Sequence, residues 1–144
     1  MDYAELAGQF LLYSNKFRKN RNQKAIDETL GGEVFALLYS WKKCGHVLPS
    51  EVSNEMRISS ARMTVILNGL ENKGLITRKI DSEDRRRILV SLTPAGIEMA
   101  KAHSQKALSV AIHMLEMLGE NDARELVRIM GRLAELAPEI TGAQ

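Results

Sequence analysis

The chain has 144 residues, 44% of them hydrophobic and 26% charged, with a formal net charge of +2. That length suits one compact domain, with or without an added oligomerisation element, and the ordinary composition excludes a disordered chain. The single cysteine, Cys44, excludes an intramolecular disulfide framework, and the small net charge leaves clustering to report on any polyanionic partner.

The first stretch, MDYAELAGQFLLYSNKFRK, puts its acids first and has no long apolar run, so no signal peptide is expected. No segment reaches the roughly 20 apolar residues needed to cross a bilayer. A cytoplasmic protein is expected, which also suits a reduced cysteine. Leu6, Phe10, Tyr13 and Phe17 recur at i, i+4, i+7 and i+11, predicting a first helix. Residues 19–32, KNRNQKAIDETLGG, lose that pattern and close on Gly31-Gly32, so they read as a connection. A second helix carries Val34, Leu37, Leu38 and Trp41 on one face, Lys42 and Lys43 in its last turn, and Gly45 as C-cap.

Pro49 suits the first position of a short helix, PSEVSNEM. Ser59 is a good N-cap for SARMTVILNGLENKG, where Met63, Ile66, Leu67 and Leu70 form a buried stripe and Gly74 stops the helix. Two short helices joined by about three residues make a helix-turn-helix. After Gly74 the period changes. LITRKI and ILVSLT are β-rich runs around a polar loop, and the alternation of Ile88, Val90 and Leu92 predicts one buried and one open face.

Thr93 caps a new helix with Pro94 at its first position, predicted as one long helix over 94–118 with Leu108, Ile112 and Leu115 among its apolar positions. After Gly119, Asn121 or Asp122 caps a final helix bearing Leu126, Ile129, Met130, Leu133 and Leu136, and Pro138 ends it. The expected fold is mainly α with a small β-hairpin wing. It is a winged helix-turn-helix over 32–93 within a single chain of 1–144, flanked by dimerisation helices at 1–20 and 94–138. Those end helices carry more apolar surface than the central unit can cover, which favours pairing across a two-fold axis over packing on their own domain.

At about 100° per residue, Ala61, Val65 and Asn68 point away from the Met63–Leu70 stripe, flanked by Arg62 and Thr64. Such residues suit a major groove: Arg62 a guanine edge, Asn68 an adenine, Ala61 and Val65 thymine methyls. An ordinary mixed helix surface explains them equally well. The hairpin tip, DSEDRRR, shifts the balance, because it lifts Arg85, Arg86 and Arg87 on a two-stranded support toward a phosphate ridge or minor groove. Asp84 is near enough to hold one arginine, and Arg86 is the one expected in the groove. A second basic cluster runs through Lys16, Arg18, Lys19, Arg21 and Lys24.

From Ser50 to Gly96 the chain resembles the MarR family of dimeric winged helix-turn-helix transcriptional regulators. PSEV, LNGLENKGLI and above all DSEDRRRILVSLTPAG carry the resemblance, the last matching the family's wing of Asp-x-x-Asp-Arg-Arg, a β-run, Leu-Thr, then Gly. The resemblance implies that Ser59–Lys73 is the recognition helix and that the arginines sit on the wing. Ser59, Ser60, Ala61, Arg62, Thr64, Val65 and Asn68, with Asp84, Arg85, Arg86 and Arg87, are then the candidate DNA-binding residues. It also implies a homodimer on a palindromic, inverted-repeat operator in double-stranded DNA, acting as a repressor released by a small-molecule effector. Tyr13, Phe17 and Trp41 suit an effector pocket, though core packing accounts for them as well. Leu48 stands where a capping Thr is common and Arg57 where the turn often has Gly, giving Arg57 a left-handed strain. Val65 replaces a residue that is often basic and Arg62 one that is often Thr, so the operator sequence does not transfer.

Other functions find little footing. There is no GxxxxGK[ST], GxSxG or HExxH, so no enzyme and no cofactor are expected. His103 and His113 lie about 15 Å apart along one helix, and Cys44 with His46 does not complete a metal site. The rival from another class is a winged-helix module that binds protein, which would not need the wing arginines.

Overall fold

The computed structural model describes residues 1–21 and 28–142, with side chains described for 1–19 and 31–142. In chain order the elements are α1 (Tyr3–Arg21), α2 (Glu28–Lys43), β1 (His46–Val47), α3 (Pro49–Met56), α4 (Ser60–Asn72), β2 (Ile76–Ile80), β3 (Ile88–Leu92), α5 (Pro94–Leu118) and α6 (Glu120–Ile140). The fold is a winged helix. Two compact units divide the chain, Met1–Ala100 and Lys101–Gln144.

In the first unit the expected stripe of α4 is the centre of the core. Met63, Ile66 and Leu70 are each 1% exposed and Leu67 3%, and they pack with Leu37, Val52, Ile76 and Val90. Burying each of these side chains contributes about 1.5–3 kcal/mol, so this stripe fixes where the opposite face of α4 must point. The three residues between α3 and α4 match the expected turn, and Arg57 there adopts φ 55 and ψ 47. That left-handed conformation costs a non-glycine residue about 1–2 kcal/mol. It lets the amides of Arg57 and Ile58 close the helix on the carbonyls of Asn54 (3.2 Å) and Ser53 (3.1 Å). At the other end of α3, Leu48 offers no capping oxygen, and its amide donates instead to Glu51 Oε1 at 3.4 Å.

The sheet is larger than a hairpin. β1 adds a third strand in the order β1-β3-β2, all antiparallel, with Val47 opposite Val90 and Arg78 also opposite Val90 on the other side. Two residues between Gly45 and Leu48 are too few to show a period, which is why the sequence hid this strand. Along β3 only Val90 is fully buried, while Ile88 is 43% exposed at the open end of the wing.

Four expected boundaries move. Gly31 and Gly32 lie inside α2, not in a connection, and residues 22–27 of that stretch fall outside the described ones. Gly32 is there for closeness: a Cβ on it would come within 2.7 Å of Ile66 Cδ1 on α4. At the far end of α2, Cys44 itself takes the left-handed turn (φ 51) ahead of Gly45, its amide donating to the Trp41 carbonyl at 3.3 Å. α6 starts directly after Gly119, so Asn121 and Asp122 lie in its first turn and neither caps it. Pro138 sits within α6, which runs on to Ile140, because near a helix end a proline forfeits little more than its own amide bond.

Thr93 behaves as expected and does more. Its hydroxyl donates to the Gly74 carbonyl (2.6 Å) and accepts the Gly96 amide (3.0 Å), while its own amide donates to the Leu75 carbonyl (3.0 Å). It thus ties the start of α5 to the start of β2. Long stretches beyond this core bury nothing. On α1, Phe10, Leu11, Tyr13 and Phe17 are each more than half exposed. In the second unit no described residue is fully buried, and Leu108, Val110, Val127 and Met130 are exposed. Among the described residues no helix is long and apolar enough to cross a membrane.

Candidate nucleic-acid interface

Because the core claims one side of α4, the other side is an exposed face of the expected composition. Ser59, Ser60, Ala61, Arg62, Thr64, Val65 and Asn68 are all exposed, Val65 by 59%. Ser59 caps the helix, its Oγ accepting the Arg62 amide at 3.2 Å, and the Thr64 hydroxyl donates back to the Ser60 carbonyl at 3.0 Å. The exposed face therefore begins at the helix N-terminus, where four amides lack intrahelical acceptors and favour an anionic neighbour.

The wing tip is an ordered turn. The Asp81 amide donates to the Arg87 carbonyl at 3.0 Å, and the Arg87 amide to the Asp84 carbonyl at 2.9 Å. Asp81 Oδ1 also accepts the Glu83 amide at 3.0 Å. Asp84 Oδ1 accepts from Arg86 twice, from its amide (3.1 Å) and its Nε (3.2 Å). The arginine held by Asp84 is thus the same one expected in the groove. Arg86 nevertheless remains 92% exposed, so the contact aims the guanidinium without burying it. These hydrogen bonds from Arg86, backbone first and side chain second, hold the Asp84 carboxyl below its ordinary pKa, with a smaller contribution from the Arg87 charge. Arg87 leans toward Asp81, Nε to Oδ2 3.8 Å. Arg85 is exposed and has no ion pair among the described residues. A cluster of three guanidiniums is tolerable here because two carboxylates of the same turn stand beside two of them.

Sequence reasoning missed the link between helix and wing. Arg78, on β2, donates Nε to Glu71 Oε2 (2.7 Å) and Nη2 to Asn68 Oδ1 (2.8 Å), both on α4. Arg78 holds the Glu71 carboxyl below its usual range, by the hydrogen bond first and by its charge second. The only local signal is that Arg78 lies two residues after buried Ile76, on the same face of β2. A second missed link joins α2 to the end of α4, where buried Glu33 pairs with Lys73 Nζ at 2.5 Å.

The remaining candidates are dispersed. Tyr13 and Phe17 are exposed on α1, whereas Trp41 is half-buried against the core. Lys16, Arg18 and Lys19 are exposed on α1, Arg21 ends that helix, and Lys24 lies outside the described residues. Among the described residues no three His, Cys, Asp or Glu side chains gather as metal ligands.

Comparison with known proteins adds a family and a set of relatives. Residues 33–112 match the family described as "Winged helix DNA-binding domain". The organic hydroperoxide resistance transcriptional regulator of Bacillus subtilis is 31% identical over 100 residues, covering 66% of this chain and 67% of that protein. The HTH-type transcriptional repressor MdtR of the same organism is 30% identical over 101 residues, covering 70% of this chain and 65% of the repressor. Among solved structures, the YusO protein of B. subtilis superposes with a TM-score of 0.70 at 25% identity, over 94% of this chain and 99% of that one. Streptococcus pneumoniae FabT in complex with DNA gives 0.71 at 21% identity, over 96% and 99%, a likeness of fold.

Proposed function

This chain belongs to the winged helix DNA-binding family, in its MarR-type form, and from that premise we propose that it is a sequence-specific transcriptional regulator. The observation that carries the reading is the pairing of an exposed, groove-compatible face on α4 with Arg86, held by Asp84 and left 92% exposed on the wing. In this mechanism α4 enters the major groove, where Arg62, Val65 and Asn68 meet base edges. The wing arginines engage the backbone and the adjacent minor groove.

The working unit is a homodimer, with helices from 1–20 and 94–138 as the pairing surface. Apolar side chains exposed along α1, α5 and α6 support this, since a monomer would leave them in water. Two-fold symmetry then calls for an inverted repeat in double-stranded DNA, with half-sites one helical turn, or a multiple of it, apart. The chain acts in the cytoplasm as a repressor. A small-molecule effector releases it by favouring a dimer geometry whose recognition helices no longer match that spacing. Tyr13, Phe17 and Trp41 contribute to the effector site only once two chains combine.

Two substitutions test the division of labour. Arg86→Ala should weaken binding to every duplex alike, by about 1–3 kcal/mol. Arg62→Ala should instead change which bases are preferred. Affinities equal to that of the unaltered protein for both variants would overturn the assignment.

A further inference from the structure

We propose that Arg78 is a positioning residue that sets the orientation of the Asn68 amide, so that α4 presents Nδ2 donors to the major groove and selects guanine at that position. This rests on the DNA-binding reading above and assigns specificity within it. Arg78 occupies an inward position of β2, in register opposite Val90, and its side chain is only 25% exposed. Asn68 and Glu71 are three residues apart on α4 and so share one strip of the helix. The guanidinium spans that strip, with Nε on Glu71 Oε2 at 2.7 Å and Nη2 on Asn68 Oδ1 at 2.8 Å.

An asparagine side chain facing water can exchange its oxygen and nitrogen ends at little cost. Beside a guanidinium it cannot, because turning the NH2 toward Arg78 would set donor against donor. A charge-assisted hydrogen bond is roughly twice as strong as a neutral one, so the oxygen end stays turned toward the wing. Glu71 holds the other side of the fork and keeps the guanidinium on the helix surface. Reading adenine would require Oδ1 to accept from its N6 while Nδ2 donates to N7. With Oδ1 turned to Arg78, the nitrogen end is the one presented. Guanine offers two adjacent acceptors, N7 and O6, that satisfy it.

The test is selection of preferred sites from a random duplex pool, followed by salt titrations on the chosen duplex and its single-base variants. The chain as it stands should prefer guanine at one position per half-site, by about tenfold, and N68A should erase that preference alone. R78K retains the charge but not the fork. It should lose the same preference while other positions and the salt dependence stay unchanged, and it should have no further effect when combined with N68A. If R78K does not fold, E71A, which frees the fork's other anchor, carries the same expectation to a lesser degree. Adenine at the Asn68-dependent position would overturn the inference, as would an R78K profile identical to that of the unaltered protein. A uniform loss across all duplexes with a shallower salt dependence would show Arg78 to be a phosphate contact and would also overturn it. If the unaltered chain binds no duplex, this inference and the functional reading both fail; if it binds with a preference that R78K leaves intact, only this inference does.

Discussion

Gly96→Ala pits helix propensity against packing, and the structure decides the sign. Gly96 lies in the first turn of α5, where exchanging glycine for alanine would ordinarily gain up to about 1 kcal/mol. A Cβ at this position, however, would stand 2.0 Å from the Leu75 carbonyl oxygen and 3.0 Å from its carbonyl carbon. Ordinary contact begins more than an ångström further out, and the obstacle is backbone, which no rotamer change can remove. The Leu75 carbonyl is also the acceptor of the Thr93 amide at 3.0 Å, so pushing it away strains the tie between α5 and β2. Overpacking of this kind costs about 1–3 kcal/mol and more where backbone must move. Because the obstacle is backbone, the cost lies at the upper end of that range, and set against the propensity gain the net loss should be about 2 kcal/mol. For a chain of this size each kcal/mol lowers Tm by about 2–4 °C. Thermal and urea unfolding of the purified variant measure the change. A variant as stable as the parent, or more so, would refute the argument that Gly96 is required by close approach.

Two further expectations concern the turn and the wing. Arg57→Gly removes the left-handed penalty at φ 55 and should stabilise the protein by about 1 kcal/mol, read as a raised urea midpoint with an unchanged m-value. The Asp84 carboxyl titrates below its ordinary value because Arg86 hydrogen-bonds to its charged form, so its contribution is complete above the unfolded value. That contribution is lost only as pH falls through the lower, folded value. An NMR titration should place the Asp84 midpoint below that of an unperturbed aspartate, and Arg86→Ala, which removes the side-chain hydrogen bond, should move it upward.

Much of the fold was legible because it follows from periodicity and from residues with few conformational options. The 3.6-residue stripe of Met63, Ile66, Leu67 and Leu70, the Ser59 and Thr93 caps and the left-handed Arg57 all appear where expected. What escaped depends on tertiary neighbours. Gly31-Gly32 reads locally as a break, yet both lie inside α2, where Gly32 packs close against Ile66 of another helix. β1 is a strand only because β3 lies beside it. At the candidate site the residue types and the exposed face of α4 could be read directly. The bonds of Arg78 to Asn68 and Glu71 could not, since a sequence does not show which acceptors an inward arginine reaches.

Binding of DNA by α4 and the wing, through bases and phosphates, can be read from the salt dependence of binding to the duplex the protein itself selects. Log K should fall in a straight line against log salt, on the order of a thousandfold between about 50 and 200 mM if six or more phosphates are contacted. Arg86→Ala in both protomers should make the slope shallower, because a guanidinium held in the minor groove lies among phosphates and displaces counterions. Binding that is insensitive to salt, or a slope unmoved by the loss of both Arg86 side chains, would contradict this mode of binding.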